Sequence, residues 1–91
     1  MAPIANPVAR LSRENRRHHL NTSFAKGDRV RQDRRNPEVW LVSSSTYPNV
    51  WYRCDEITCG CAWFRQRHSP CRHMVRVSWE KHRLRRQQKA A

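Results

Sequence analysis

No stretch of this 91-residue chain approaches the ~20 consecutive apolar residues of a membrane span. A membrane-spanning protein is therefore not expected. The opening Met1-Ala2-Pro3-Ile4-Ala5-Asn6-Pro7 lacks the charged head and apolar block of a secretory leader. A cytoplasmic, reducing location is the expectation, and it favours thiolate–metal chemistry over disulfides. Apolar residues are also scarce, at 37%, and the mean hydropathy is −1.02. A chain this short and polar has little core to spare. Acidic residues number seven against nineteen Lys and Arg, which leaves a net charge of +12. No internal repeat and no long low-complexity tract occurs. No closed set of nucleophile, base and acid is visible, so neither an enzyme nor a small-molecule substrate is expected.

What the sequence does hold is a spacing: Cys59-Gly60-Cys61, nine residues, then Cys71-Arg72-His73. Three thiolates and one imidazole make up a tetrahedral structural zinc site. Each pair is nearly closed already, so one loop remains to be ordered. Cys59, Cys61, Cys71 and His73 are the expected ligands of one structural zinc ion. Its binding free energy becomes folding free energy in a chain with so small a core. Cys54 is an alternative fourth thiolate in place of His73, and His68 competes for the imidazole role. The preferred reading puts Cys54 in the core and His68 in the loop. Disulfide pairing stays an alternative, with three connectivities, but leaves the paired His73 without a role. C-x-x-C pairs are absent, so ribbon, RING and Cys2His2 spacings do not fit. Four protein ligands also close the metal to catalysis. Asp55-Glu56 reads as an exposed acidic turn.

Asn6-Pro7 has the form of a helix start, and residues 7–24 read as a weak helix with Leu11, Leu20 and Phe24 on one face. Lys26-Gly27-Asp28 is a turn signal, and Arg29-Val30-Arg31 a short third strand. Residues 38–44, centred on Val39-Trp40-Leu41-Val42, and residues 50–56 read as an antiparallel hairpin. A hairpin is marginal alone and needs a cover over one face. Ser69-Pro70 reads as the cap and first position of a C-terminal helix over residues 70–86. Cys71 and His73 then lie in its first turn, where free backbone N–H groups and the helix dipole favour a thiolate. Trp40 and Trp79 are expected to pack; Trp51 and Trp63 divide evenly between packing and exposure. The expected fold is a small α+β zinc-stapled module: N-terminal helix, hairpin, zinc loop, C-terminal helix. Its expected divisions are a basic segment at 1–27, the zinc domain at 28–86 with its core at 38–78, and a tail at 87–91.

Trp40-Leu41-Val42 with Ser43-Ser44-Ser45, then Tyr52, Cys59-Gly60-Cys61 and Pro70-Cys71-Arg72-His73-Met74-Val75, closely resemble the SWIM-type zinc finger, of form C-x-C-x(n)-C-x-H. Trp63-Phe64 after the first pair fits as well. The resemblance covers residues 38–78 and suits a small stand-alone member. It implies zinc held by Cys59, Cys61, Cys71 and His73, and a role in binding nucleic acid or protein rather than catalysis.

Charge points to the partner. Residues 1–36 carry nine basic and three acidic side chains, residues 37–70 three of each, and residues 71–91 seven basic and one acidic. Basic ends of +6 flank a neutral middle, and such a field draws polyanions. Nucleic acid, DNA or RNA, is the expected partner, held through phosphates by Arg72, Arg76, Arg83 and Arg86, with Arg65 and Arg67 beside the zinc loop. The alternative is an adaptor for a recombination, transposition or helicase protein, presenting Trp51, Trp63 and the loop.

Overall fold

A computed structural model describes residues 6–90 of the chain. Residues 1–5 of the basic segment and Ala91 of the tail lie outside the described residues. The elements in order are α1 (Pro7–Arg10), α2 (Arg13–Ala25), β1 (Val30–Gln32), β2 (Trp40–Ser43), β3 (Trp51–Arg53), α3 (Ala62–Arg67) and α4 (Arg72–Ala90). The α+β class follows the sequence reading, and the third strand is present.

The single helix read over 7–24 is two. Asn6 Oδ1 accepts the backbone N–H of Val8 at 2.9 Å and starts α1. The backbone turns extended at Leu11 (ψ 145°), and Ser12 Oγ caps α2 by accepting Asn15 N–H at 3.1 Å. A serine two residues before Glu14 is a legible cap that the apolar pattern concealed. At the other end Gly27 adopts φ 71°, which costs a glycine little. Gly27 N–H then reaches the Phe24 carbonyl and Asp28 N–H the Ser23 carbonyl, both at 3.1 Å. This paired closure folds the chain back under the helix, and it places Asp28 in the interior.

The sheet is antiparallel in the order β1-β2-β3. Val30 pairs with Val42, and Val42 with Tyr52. Alternation along β2 sends Trp40 and Val42 inward, where both are buried. Helix α4 covers that inner face with Met74, Val75 and Val77, while α1 and α2 pack on α4. The core thus lies between sheet and helices. Four of its ten buried members are Cys54, Cys59, Cys61 and Cys71. Apolar burial alone is correspondingly thin, so the cysteine cluster occupies the place of a hydrophobic centre. No described helix is long and apolar enough to cross a membrane.

Candidate metal centre

The first ligand pair is delivered by a tight turn. Asp55 Oδ1 accepts the N–H groups of Ile57 and Thr58 at 2.7 and 2.8 Å, and Asp55 N–H donates to the Thr58 carbonyl at 2.9 Å. The chain reverses and Cys59 bridges back to Cys54. Gly60 N–H holds the Arg53 carbonyl at 3.1 Å. Next, Cys61 starts α3, a helix not expected from the sequence, and its sulfur accepts Phe64 N–H at 3.5 Å. His68 ends α3 in the left-handed conformation (φ 54°). Its side chain is exposed, its ring lies edge-on to Phe64, and it is not among the converging donors.

The second pair opens α4. Helix α4 starts at Arg72, two residues later than read, and its last residue is Ala90 rather than Arg86. The cap is Cys71 and not Ser69: its carbonyl accepts Val75 N–H at 3.2 Å. Its sulfur lies on the side of the free N–H groups of the first turn, and Met74 N–H helps to lower its pKa. Both Cys61 and Cys71 therefore sit where free helix N–H groups favour a thiolate.

Cys59, Cys61, Cys71 and His73 are all buried, and their donor atoms lie within 4.8 Å of one another. His73 Nδ1 is 3.8 Å from Cys59 Sγ and 3.7 Å from Cys71 Sγ. Donors bound tetrahedrally at ~2.3 Å (sulfur) and ~2.0 Å (nitrogen) stand about 3.5 Å apart for a sulfur–nitrogen pair and about 3.8 Å for a sulfur pair. The donor set fits one zinc ion, with Nδ1 as the nitrogen ligand. All four cysteines are free thiols, so no disulfide competes for them.

Protons are held unevenly across the cluster. Hydrogen bonds from Cys54 and Cys59 hold the Cys71 thiol far below its usual range against the effect of burial, with His73 and Met74 N–H assisting. Cys59 accepts from Cys54, which lowers it, yet its hydrogen bond to Cys71 and burial push it up overall. Burial raises Cys61, offset in part by Phe64 N–H. A bound cation replaces the shared protons, because these ligands bind as thiolates. Cys54 is buried beside the cluster but is not one of its four converging donors. Its thiol is pushed up by hydrogen bonds to Cys59 and Cys71, and burial adds to this. In the structure its thiol donates to the Asp55 carbonyl at 3.6 Å.

Asp28 is the residue the sequence reading missed. Its side chain is fully buried. Oδ2 accepts Ser23 Oγ–H at 2.8 Å and Arg72 Nε–H at 2.9 Å. The same oxygen lies 4.0 Å from His73 Nε2, a buried nitrogen with no hydrogen-bond partner. A ligating imidazole commonly gives its second N–H to a carboxylate, which fixes ring orientation and tautomer. The available signal was an Asp after a Gly helix stop, together with the oddity of an acid in a basic segment. Glu56 likewise is not an exposed turn residue. It accepts Asn6 Nδ2–H at 2.8 Å and pairs with Lys81 at 3.2 Å.

The six arginines singled out for phosphate divide. Arg72 is spent on Asp28 and on Ser45 Oγ at 3.0 Å. Arg76 lies 3.9 Å above the Phe24 ring, bonds Ser23 Oγ and pairs with Glu80. Arg83 is exposed yet also pairs with Glu80, at 2.9 Å. Arg65, Arg67 and Arg86 are exposed, and Arg67 stacks 4.9 Å from the Trp63 ring. Trp40 packs as expected, but Trp79, also expected inside, is 37% exposed. Arg29 and Arg31 lie over Trp51 at 5.3 and 4.2 Å.

A buried Cys3His set between a three-stranded sheet and a helix defines a small structural-zinc module, with one zinc ion as its cofactor. Residues 49–82 match the family model for the SWIM zinc finger, and all four converging donors lie within that stretch. No curated protein and no solved structure matches the chain.

Proposed function

We propose that this zinc finger is a nucleic-acid-binding module that grips phosphates, and not an enzyme. The observation that carries the proposal is the packing of α2 on α4, which sets Arg13, Arg16 and Arg17 of α2 in a groove adjoining the one that Arg83 and Arg86 of α4 line. Among the described residues only Arg72, Arg76, Lys81 and Arg83 pair with carboxylates. Most of the nineteen Lys and Arg are therefore left to generate an outward field. Arg65, Arg67 and Arg86 with the arginines of α2 supply the phosphate contacts, while Arg72 and Arg76 hold the fold. Zinc acts by shaping the fold: with four protein donors it has no open position for substrate. Free thiols fit a reducing cytoplasm.

The test is a salt-dependent titration of zinc-loaded protein with labelled DNA and RNA. Four phosphate contacts on duplex DNA give a slope of log affinity against log salt of about −3.6. Absence of binding at low salt to any nucleic acid would move the function to a protein adaptor.

A further inference from the structure

A groove of about 330 Å³ runs between α2 and α4. Its floor is apolar, with the buried Val8 and Val75 joined by Leu20. Its walls carry Arg13, Arg16 and Arg17 from α2 and His82 from α4. A second groove adjoins it along α4, lined by Arg83, Arg86 and Gln87, and the two share Trp79 and His82. Neither is lined by a carboxylate. Arg13, Arg16, Arg17 and Arg86 make no ion pair among the described residues. Trp79 therefore stands midway along a continuous basic trough, an exposed aromatic with guanidinium groups on both sides.

Two features decide what fits. A double helix keeps its bases stacked on one another and offers only phosphates, so an apolar floor and an exposed indole add little. An unpaired strand offers phosphates and base faces together, and basic grooves with interleaved aromatics suit it. Trp79 is held in place for this purpose. Its ring meets Phe24 edge-on at 5.2 Å, and Arg76 and Arg83 flank it at 5.8 and 5.9 Å. Resting on the nucleic-acid reading above, we propose that the α2–α4 trough is a single-strand site. Trp79 stacks on a base, and Arg13, Arg16, Arg17 and Arg86 hold the flanking phosphates. This surface lies largely outside the zinc ligands, and α2 lies outside the matched residues 49–82.

The test uses the zinc-loaded full chain and fluorescence anisotropy with a labelled twelve-nucleotide oligothymidylate, a twelve-base-pair duplex and polyglutamate. The oligothymidylate is expected to bind tighter than the duplex. Replacing Arg13, Arg16 and Arg17 together with Gln is expected to flatten the single-strand salt slope by about 2, since each contact contributes about 0.7. Trp79→Leu is expected to weaken oligothymidylate binding roughly 5- to 150-fold, the range of one base–aromatic stack. Trp79→Phe restores most of it, and duplex binding changes little. Zinc content and circular dichroism confirm that the variants fold; the arginine triple, on an exposed helix face, keeps the test valid if Trp79→Leu does not. Single-strand binding untouched by either variant overturns the trough but spares the nucleic-acid reading. Preference for duplex overturns it too. Binding of polyglutamate with no binding of any nucleic acid overturns both and turns the trough into a protein site.

Discussion

Asp28→Asn removes one charge and almost no volume, from a group that touches Ser23 of α2, Arg72 of α4 and the ligand set at His73. The wild-type carboxylate accepts three hydrogen bonds, from Ser23 Oγ, Arg72 Nε and Arg72 Nη2, and faces His73 Nε2. Breaking a buried ion pair by losing one partner costs about 3–5 kcal/mol. Arg72 is 21% exposed and keeps Ser45, so the lower end, about 3 kcal/mol, applies to fold stability. Loss of a carboxylate behind a metal-bound histidine costs 10–100-fold in affinity, or about 1.4–2.7 kcal/mol. Competition against a chromophoric chelator measures that factor. Because folding and ligation are coupled, Arg72→Gln is the comparison: it loosens the same node but leaves the carboxylate facing His73. Proton NMR separates them further. The His73 Nε2–H resonance is expected to persist in wild type and in Arg72→Gln and to vanish by exchange in Asp28→Asn. Zinc affinity of Asp28→Asn within twofold of wild type, with that resonance intact, would refute the argument.

Replacing any of Cys59, Cys61 or Cys71 with Ser, or His73 with Ala, is expected to lose zinc and unfold most of the domain, read by metal analysis and circular dichroism. Cys54→Ser is expected to keep one zinc per chain; loss of zinc there with retention in His73→Ala would sink the ligand set. Gly60→Ala should be near neutral in thermal melts, since an added Cβ meets only the Arg53 carbonyl at 3.7 Å. Gly27→Ala should cost about 1–2 kcal/mol, because φ 71° is left-handed even though the space is open. His19 packs edge-on to Trp63 at 5.9 Å, and burial, then the neighbouring His18 charge, lowers its pKa below 6.5. The unfolded chain thus binds the proton more readily, and stability from neutral His19 is lost as pH falls from 6.5 through the folded value. His19→Gln should remove part of that pH dependence between about pH 7.5 and 5.5, and an NMR titration midpoint at or above 6.5 would contradict it.

The ligand pairs and the strands were legible because each is a local signal. Val39-Trp40-Leu41-Val42 can hardly be anything but a strand, and β2 and β3 fall inside the spans read, at Trp40–Ser43 and Trp51–Arg53. Helix α3 was not legible. Ala62–Arg67 is too short for a periodic pattern, and it forms because the Cys61 sulfur caps it. Tertiary pairings were invisible for the same reason. Arg72 looks like any exposed helix residue until Asp28, 44 positions away, is known to face it. Trp79 looked like core because it follows Met74, Val75 and Val77. Yet at 3.6 residues per turn Trp79 lies well round the helix from Met74 and Val77; it follows Val75 by one turn along the α2–α4 groove, where it is 37% exposed.

These pairings also tie the metal to the charge. Helix α4 begins in the zinc site, with Cys71 as its cap and His73 as a ligand. Ser23 in the last turn of α2 and Asp28 just beyond it form the node that grips Arg72 and faces His73. The two basic ends are thus clamped together at the point where the metal is bound. Among the described residues six apolar side chains are buried besides the cysteines, and this node adds to the Phe24–Trp79 and Phe24–Arg76 contacts that hold α2 on α4. Removing the metal is therefore expected to loosen the arrangement of arginines without touching an arginine. The zinc finger acts as the hinge pin of a charged surface built mostly by sequence on either side of it.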